Sequence, residues 1–526
     1  MLPSFNPWLS GAVAADVALA SHSNHRALTL RRERRLSNLL ASATRGSRLY
    51  RRLIGDPAGR RLQDLPITRK ADLMGQFDDW VTDPVVRLDA LRRFVADRSH
   101  IAEPFLGRYV IWESSGSTGQ PGIFVQDTTA MAVYDALEAL RRPMLRSPMQ
   151  LLDPFCLGES IVFVGATGGH FASAVSVERA RRLSPARART LHSVSFLQRA
   201  DRIVAELQAL APTIIATYPS AAVLLAEERV AGRLKHAPRE MWTGGESLSN
   251  AMRHFIQGAF GCPVTNSYGA SEFLSLASEC RCGCMHLNSD WAILESVDDR
   301  GNAVPDGEAG ATSLLTNLAN HVQPLIRYDL GDRVTLRPAA CACGSPLPVI
   351  NVQGRSDDTL KLCQPGGQAV SVLPLALCTV LEDDAGLFDF QVVQESPCDL
   401  LLRTGLCGHA ADVALHRART VLSAFLEGQG ANGVHIHCRS HAVMTQGRSG
   451  KVQRVLGFDG STRRAPAINA DTRKSPVPRP VVADQPLAPQ GEAAGPGRSN
   501  DSKATASRLS TRNPRPGVSK RATRPE

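Results

Sequence analysis

Aromatic residues make up only 5% of the 526-residue chain, so a folded core has to be built mainly from aliphatic side chains. The apolar content of 43% is that of a globular protein. No run of eighteen apolar residues occurs, which excludes an α-helical membrane span of ordinary length. The mildly apolar stretch from Met1 to Ser21 has no basic residue ahead of it and is interrupted by Asp16, so it does not read as a secretory signal. Without an export signal the cysteines are expected as thiols or metal ligands rather than disulfides, and the protein is expected in the cytoplasm. No Gly-Lys-Ser/Thr closes a glycine-rich loop, so the usual P-loop is absent. A glycine-rich turn does follow Ile161-Val162-Phe163-Val164, but it lacks the third glycine of a dinucleotide fingerprint. Arg179, Arg181 and Arg182 stand where a strand ending in Asp or Glu is needed. A redox reading is therefore set aside.

Charge is distributed unevenly. From Ser461 to Glu526 the chain is rich in Pro, Ala, Ser and Arg and has no aromatic residue. It carries thirteen Arg and Lys against five Asp and Glu, or +8 of the chain's +10. Such a segment cannot bury enough apolar area to offset its chain entropy. It is expected to be a disordered basic tail, and without interleaved aromatics it offers no base-stacking surface. No specific nucleic-acid partner is expected. Upstream, helical patterns at Arg31–Leu53, Ala130–Arg142 and Phe196–Leu210 alternate with short apolar strands such as Thr213-Ile214-Ile215-Ala216. Alternation of this kind predicts α/β layering.

Two short runs carry chemistry. Ser114-Ser115-Gly116-Ser117-Thr118-Gly119-Gln120-Pro121 is a loop of hydroxyls and glycines between the predicted strands Tyr109–Trp112 and Ile123–Val125. With little side-chain bulk, its backbone N–H groups can close on phosphate oxygens. The residue types alone also suit a surface turn; the strand on each side favours a phosphate clamp. Tyr268-Gly269-Ala270-Ser271-Glu272 places a carboxylate just after an aromatic–glycine turn, where it can hold a magnesium ion bridging phosphates.

From about Arg32 to about Phe458 the order of motifs resembles the adenylate-forming superfamily, most closely its phenylacetate–CoA ligase-like branch. The segment Leu65-Pro66-Ile67-Thr68-Arg69-Lys70-Ala71-Asp72-Leu73 is similar to that branch's entry segment, and Ser114 to Pro121 to its phosphate loop. Thr217-Tyr218-Pro219-Ser220 and Gly244-Gly245-Glu246 resemble its adenine-side segments, and Asn266 to Glu272 its Tyr-Gly-x-Thr/Ser-Glu motif. Pro324 to Asp332 resembles its ribose motif, Gly354-Arg355-Ser356-Asp357-Asp358 its hinge, and Gly450-Lys451-Val452-Gln453-Arg454-Val455 its C-terminal lysine motif. Two departures stand out. The phosphate loop ends Gln120-Pro121 where Lys-Pro is common, which removes one cation near the phosphates. The ribose motif carries Asp329-Leu330 in place of Arg-Thr.

The resemblance implies a large multi-sheet layered N-terminal domain over residues 1–354. It implies a small mobile α+β C-terminal domain over 355–460, hinged at Asp357, and then the tail over 461–526. It implies that ATP activates a small-molecule carboxylic acid, of the aryl or a related class, to an acyl-adenylate. A thiol, either coenzyme A or the phosphopantetheine of an acyl carrier protein, then displaces AMP. Lys451 and Glu272 are the implied catalytic pair, with Glu272 holding Mg2+. The nucleotide would lie on Ser115, Gly116, Ser117, Thr118, Gly119, Gly244, Gly245, Glu246, Ser267, Tyr268, Gly269, Asp332 and Arg355. The physical difficulty is bringing two anions together, which N–H donors and a divalent cation offset. Asp332 offers two oxygens to the two ribose hydroxyls. Lys451 suits its role as a compact charge on a long stem. The turn before His170 suits the acyl pocket, with His170 either approaching the substrate or satisfied within its loop. The resemblance also admits a homodimer.

The twelve cysteines are clustered in part. Cys280, Cys282 and Cys284 precede His286, and Cys341-Ala342-Cys343-Gly344 follows about sixty residues later. Thiolate and imidazole are the ligands tetrahedral zinc prefers. Relatives that hold a zinc through similar segments imply Cys280, His286, Cys341 and Cys343 as ligands to Zn2+, with Cys282 or Cys284 as substitutes. The competing reading is a set of reduced, buried thiols. For function as a whole there are two alternatives to a thiol ligase. One is adenylyl transfer to an acceptor hydroxyl without a thioester; the other is a catalytically weak nucleotide-binding or scaffold protein. Removing residues 461–526 tests whether the tail takes part in turnover. The expected result is an unchanged kcat and KM in a truncated chain ending at residue 460.

Overall fold

The computed structural model describes residues 5–114, 121–142, 158–196, 198–337, 340–355, 360–363, 369–372, 374–445 and 453–458. Met1–Ser461 forms one compact unit. No helix among the described residues is long and apolar enough to cross a membrane. Ser115 to Gln120, Asp357, Lys451 and the whole tail lie outside the described residues.

A nine-stranded mixed sheet organises the unit. Five neighbouring strands are parallel: Leu191–Ser195, Ile161–Gly165, Ile214–Thr217, Glu240–Gly244 and Val264–Ala270. Ile161–Gly165 is buried at every position, as expected for a strand covered on both faces. Helices Ala200–Leu210, Pro219–Val230 and Asn250–Phe260 connect these strands, and their apolar faces meet the sheet in a core of Val162, Ile215, Leu225, Met241 and Ile256. At Val264–Ala270 the sheet turns antiparallel and continues through Phe273–Glu279, Met285–Leu287, Val349–Arg355 and Asp332–Arg337.

Beyond residue 360 a smaller α+β assembly follows. A hairpin of Leu360–Cys363 and Ala369–Val372 lies beside a four-stranded sheet covered by the helix Gly408–Gly428. Cys363 and Cys398 form a disulfide there, with their Cα atoms 5.2 Å apart. This departs from the expectation of thiols throughout. The Cys363 N–H bonds the Pro397 carbonyl at 2.8 Å, which brings a strand end against the neighbouring turn and leaves the two side chains adjacent.

Local detail also departs from the sequence reading. The helix predicted over Arg31–Leu53 is two helices, His25–Gly46 and Arg48–Ile54. Ser47 ends the first and caps the second, its Oγ accepting from the Tyr50 N–H. Tyr268 and Gly269 lie in a strand with a bulge rather than in a turn, and the turn is Ser271–Glu272. The predicted strand pair around the phosphate loop is present as the antiparallel hairpin Val110–Glu113 with Ile123–Gln126.

Asp16, the charge that interrupts the apolar N-terminus, anchors the first two helices. It pairs with Arg31 and Arg35. Arg35 stacks over Trp291 with its guanidinium carbon 3.4 Å from the ring centroid and donates to the Asp290 carbonyl at 2.6 Å. The Asp290 side chain is fully buried and accepts two hydrogen bonds from Arg141, at 2.6 and 2.9 Å. Burial alone raises the Asp290 pKa, but Arg141 and Arg35 outweigh it and hold the carboxyl below the usual carboxylate range. Asp290→Asn is expected to cost about 3–5 kcal/mol, because two guanidinium groups lose their counter-charge in the interior. The wild-type contribution is complete above about pH 4, the ordinary carboxylate value. It is lost as acid titrates the folded group below that value. Thermal unfolding of wild type and variant between pH 3 and 7 measures both effects.

Candidate functional site

The parallel strands end where the motifs begin. Thr217-Tyr218, Gly244 and Ala270 stand at the carboxyl ends of three adjacent parallel strands. The crevice outside such ends is where open α/β sheets bind ligands. Gly244 is required by close approach, since a Cβ there would sit 2.8 Å from Ser267 Oγ. Gly245 has a left-handed backbone, with φ of 78°, and Glu246 after it reaches back to the helix that precedes the strand Glu240–Gly244. There Glu246 Oε2 accepts from the Ser220 N–H at 3.0 Å, at the amino end of Pro219–Val230. Glu246 Oε1 is buried with no hydrogen-bond partner among the described residues.

Ser114 and Gly122 close the stem of the glycine-hydroxyl loop. The Ser114 N–H donates to the Gly122 carbonyl, and the Gly122 N–H donates to Ser114 Oγ, both at 2.8 Å. Two residues earlier, the buried Trp112 donates its indole N–H to the Ser271 carbonyl at 2.8 Å. The base of the loop is therefore bonded directly to the turn that carries Glu272.

The two acidic motifs exchange hydrogen bonds. Tyr268, from the first, donates to Asp332 Oδ2 in the second at 2.6 Å. Tyr328, from the second, donates to Glu272 Oε1 in the first at 2.8 Å. Asn317 Nδ2 holds the Glu272 carbonyl at 2.9 Å and contacts the Tyr134 hydroxyl at 3.0 Å. Asp329, at one of the departures from the family pattern, has a local task. Its Oδ1 accepts from Thr312 Oγ1 at 2.7 Å and from the Gly331 N–H at 3.0 Å, which pins the turn that presents Asp332. Asp332 faces Arg355 across the antiparallel pair Asp332–Arg337 and Val349–Arg355.

Glu272, Asp332, Tyr268 and the stem of the loop are thus gathered together, and Gly244, Gly245, Glu246 and Ser267 line the neighbouring strand ends. His170 lies beside the loop stem, its carbonyl accepting from the Glu113 N–H at 2.7 Å, and its Nδ1 has no hydrogen-bond partner among the described residues. It is buried, its Nε2 lies 3.1 Å from the Asp97 carbonyl, and its ring sits against Phe94. Sequence reasoning gave no separate task to Tyr328, Asn317 or Trp112. Tyr328 stood inside a quoted motif; nothing local marks the other two. Three residues after Lys451, Arg454 pairs with buried Glu382, donates to the Phe388 carbonyl and lies 4.2 Å over the Phe390 ring. Its Nη1 also reaches Met252 Sδ at 3.7 Å, on the helix Asn250–Phe260.

A second cluster lies at the antiparallel side of the sheet. Single ligand atoms of Cys280, His286, Cys341 and Cys343 all fall within 4.8 Å of one another. Cys280 Sγ is 3.7 Å from Cys341 Sγ, and Cys343 Sγ is 3.3 Å from His286 Nε2. His286 Nδ1 bonds the Leu347 carbonyl at 2.8 Å, which leaves Nε2 as the ligand atom. Backbone N–H groups of Cys282 and Ser345 point at the sulfurs of Cys280 and Cys343, both at 3.4 Å. A hydrogen bond from the Cys343 backbone leads the effects that bring the Cys341 thiol down to about 6.

Residues 109–312 match the AMP-binding enzyme family. The chain is 29% identical to the phenylacetate–coenzyme A ligase of Thermus thermophilus over 372 residues, which cover 66% of this chain and 74% of that protein. Residues 109–312 are thus an AMP-binding enzyme domain, and the chain is a homologue of that phenylacetate–coenzyme A ligase. A shorter match, 30% identical over 103 residues, joins it to protein CapK of Staphylococcus aureus and covers 20% of this chain and 21% of that one. In fold it is similar to a 2-hydroxyisobutyryl-CoA ligase solved in the postadenylation state with 2-HIB-AMP. The TM-score is 0.57 at 20% identity, covering 81% of this chain and 88% of that structure.

Proposed function

We propose that this chain is an AMP-forming acid–thiol ligase of the adenylate-forming superfamily. In this reading it activates a carboxylic acid of the aryl or a related class with ATP and passes the acyl group to coenzyme A or a carrier-protein phosphopantetheine. The observation that carries the proposal is the crossed pair of hydrogen bonds, Tyr268 to Asp332 and Tyr328 to Glu272, at the carboxyl ends of the parallel strands. Motifs about sixty residues apart meet there, one suited to a ribose and the other to a metal-bridged phosphate.

The reaction divides among this chain's own residues. Asp332 accepts the ribose hydroxyls. Gly244, Gly245, Glu246, Ser267, Tyr268 and Gly269 form the adenine side, and Arg355 follows at the entry to the hinge. Backbone N–H groups of Ser115 to Gly119 take the phosphate oxygens. Glu272 is a hard oxygen donor of the kind Mg2+ takes beside phosphates, and the bound ion would supply neutralisation of the charge between the two reacting anions. Attack of the substrate carboxylate on the α-phosphorus forms a C–O–P linkage and expels pyrophosphate. Attack of the thiol on the acyl carbon then releases AMP. Lys451 would stand between carboxylate and α-phosphate in the first step. Rotation at Asp357 would move residues 355–460 relative to 1–354 and withdraw it for the second. The proposed acceptors are small-molecule or carrier-borne thiols.

The cysteine cluster is proposed as a structural Zn2+ site. A zinc–sulfur bond of about 2.3 Å puts the sulfurs of a tetrahedron about 3.8 Å apart, close to the 3.7 Å between Cys280 and Cys341. Two thiolates and an imidazole with its tautomer fixed, joined by the Cys343 sulfur, complete a closed set without an open position for catalysis.

Acid-dependent ATP–pyrophosphate exchange across aryl, aliphatic and hydroxylated acids tests the first step. Exchange with no thiol-dependent second step would move the assignment to adenylyl transfer onto a hydroxyl, and ATP binding with no exchange to a nucleotide-binding protein. Lys451→Ala is expected to remove exchange by a factor of at least about 100, while a supplied acyl-adenylate still yields thioester. Equal loss of both half-reactions would rule Lys451 out as the adenylation residue. Metal analysis of the purified chain is expected to give one zinc per chain. Cys341→Ser and Cys343→Ser are each expected to lose the zinc and to lower the unfolding temperature; a metal-free wild type with all four ligand side chains freely reactive would end the zinc proposal.

A further inference from the structure

The Glu272 carboxylate has one hydrogen-bond donor among the described residues, and it is a phenol rather than a cation. Tyr328 is 2% exposed and donates to Oε1 at 2.8 Å. A phenol O–H is a neutral donor, so it can fix a carboxylate without neutralising it. An arginine in that position would fix the same carboxylate and cancel the charge a cation needs.

The rest of the fold aims this phenol. The Asp329 N–H bonds the Thr68 carbonyl at 2.9 Å and the Thr68 N–H bonds the Arg327 carbonyl at 3.0 Å, so Tyr328 lies in a bridge with the entry segment. Arg327 adopts a left-handed backbone with φ of 47°, a conformation unfavourable for a residue with a Cβ. It is held there by Glu295 at 3.2 Å and by the carbonyls of Gln63 and Leu65 at 3.0 and 2.7 Å. The sharp change of direction at Arg327 sends the next side chain across to Glu272. At the other end, Asn317 fixes the Glu272 carbonyl.

We propose that Tyr328 is a positioning residue for a divalent cation: its hydroxyl holds Oε1 of Glu272 so that the carboxylate is presented to the metal of a metal–nucleotide complex. This rests on the reading of Glu272 as the metal carboxylate. It adds a residue that acts through Glu272 and makes no contact of its own with the nucleotide. It also gives the left-handed turn at Arg327 a purpose.

Mn2+ serves as a magnetic probe for the site. The full-length chain, saturated with a non-hydrolysable ATP analogue, is titrated with Mn2+ and the free ion is read by electron paramagnetic resonance. Tyr328→Phe keeps the ring and deletes the donor. It is expected to weaken Mn2+ binding about tenfold, the lower end for a hydrogen bond to a charged group, while the unfolding temperature stays close to wild type. Glu272→Asp retains the charge but withdraws it by one methylene from the phenol. It is expected to weaken Mn2+ binding similarly, and it provides a second arm if the Phe variant packs poorly. Wild-type Mn2+ affinity in Tyr328→Phe, beside lost affinity in Glu272→Gln, overturns the positioning role and leaves the Glu272 assignment standing. Wild-type Mn2+ affinity in Glu272→Gln overturns the Glu272 assignment and this inference with it. A purely structural role for Tyr328 would lower the unfolding temperature without moving the Mn2+ titration, and would likewise overturn it.

Discussion

A carboxylate kept for use has to be immobile and still charged, and the choice of donor decides whether both are met. Asp290 and Glu272 show the two outcomes in one molecule. Asp290 is surrounded by the guanidinium groups of Arg141 and Arg35; its charge is spent on holding helices to the core. Glu272 receives a phenol hydroxyl, which restricts its rotation without bringing a cation to it. A neutral donor contributes less energy than a cation, and the difference is the charge that remains available. On the proposed reading of Glu272, the distinction separates an architectural acid from one held ready for a cation.

The same reasoning explains Asp329. An aspartate in a motif that elsewhere carries arginine adds a negative charge close to a proposed polyanion site. Its oxygen is occupied by Thr312 and by the Gly331 N–H. It acts as a turn clamp, of the kind short acidic side chains make with the backbone two residues on. The departure changes how the loop is built and leaves Asp332 presented.

Much of the fold was legible because its signals are local. The strand pair around Ser114–Pro121 follows from two apolar runs separated by turn residues, and the parallel sheet from alternating apolar strands and helices. Motif order was legible for the same reason. What escaped notice is nonlocal or turns on a single residue. Ser47 splits a helix with one hydroxyl that accepts from a neighbouring N–H, in a stretch whose apolar spacing is continuous. Trp112 meets Ser271 across 159 residues, and Tyr328 meets Glu272 across 56; no periodicity encodes either. The Cys363–Cys398 pair was hidden because an expectation about compartment stood in for geometry. The four cysteine and histidine ligands were legible as residue types, but their convergence depends on the antiparallel register of three strands.

One arrangement bears on how the chain is made. Tyr50 and Trp80 both donate to the Pro324 carbonyl, contacts separated by 274 and 244 residues. Thr82 reaches His321 in the same region. These early segments carry large side chains, Phe77 and Trp80 among them, that are fully buried in the finished protein. At roughly 5–20 residues per second on the ribosome, their partners emerge about 12–55 seconds later. For that interval these side chains have only local neighbours, such as Phe77 against Trp80, and the distant part of their native packing is missing. The native packing of these segments is therefore completed only after Pro324 has left the ribosome.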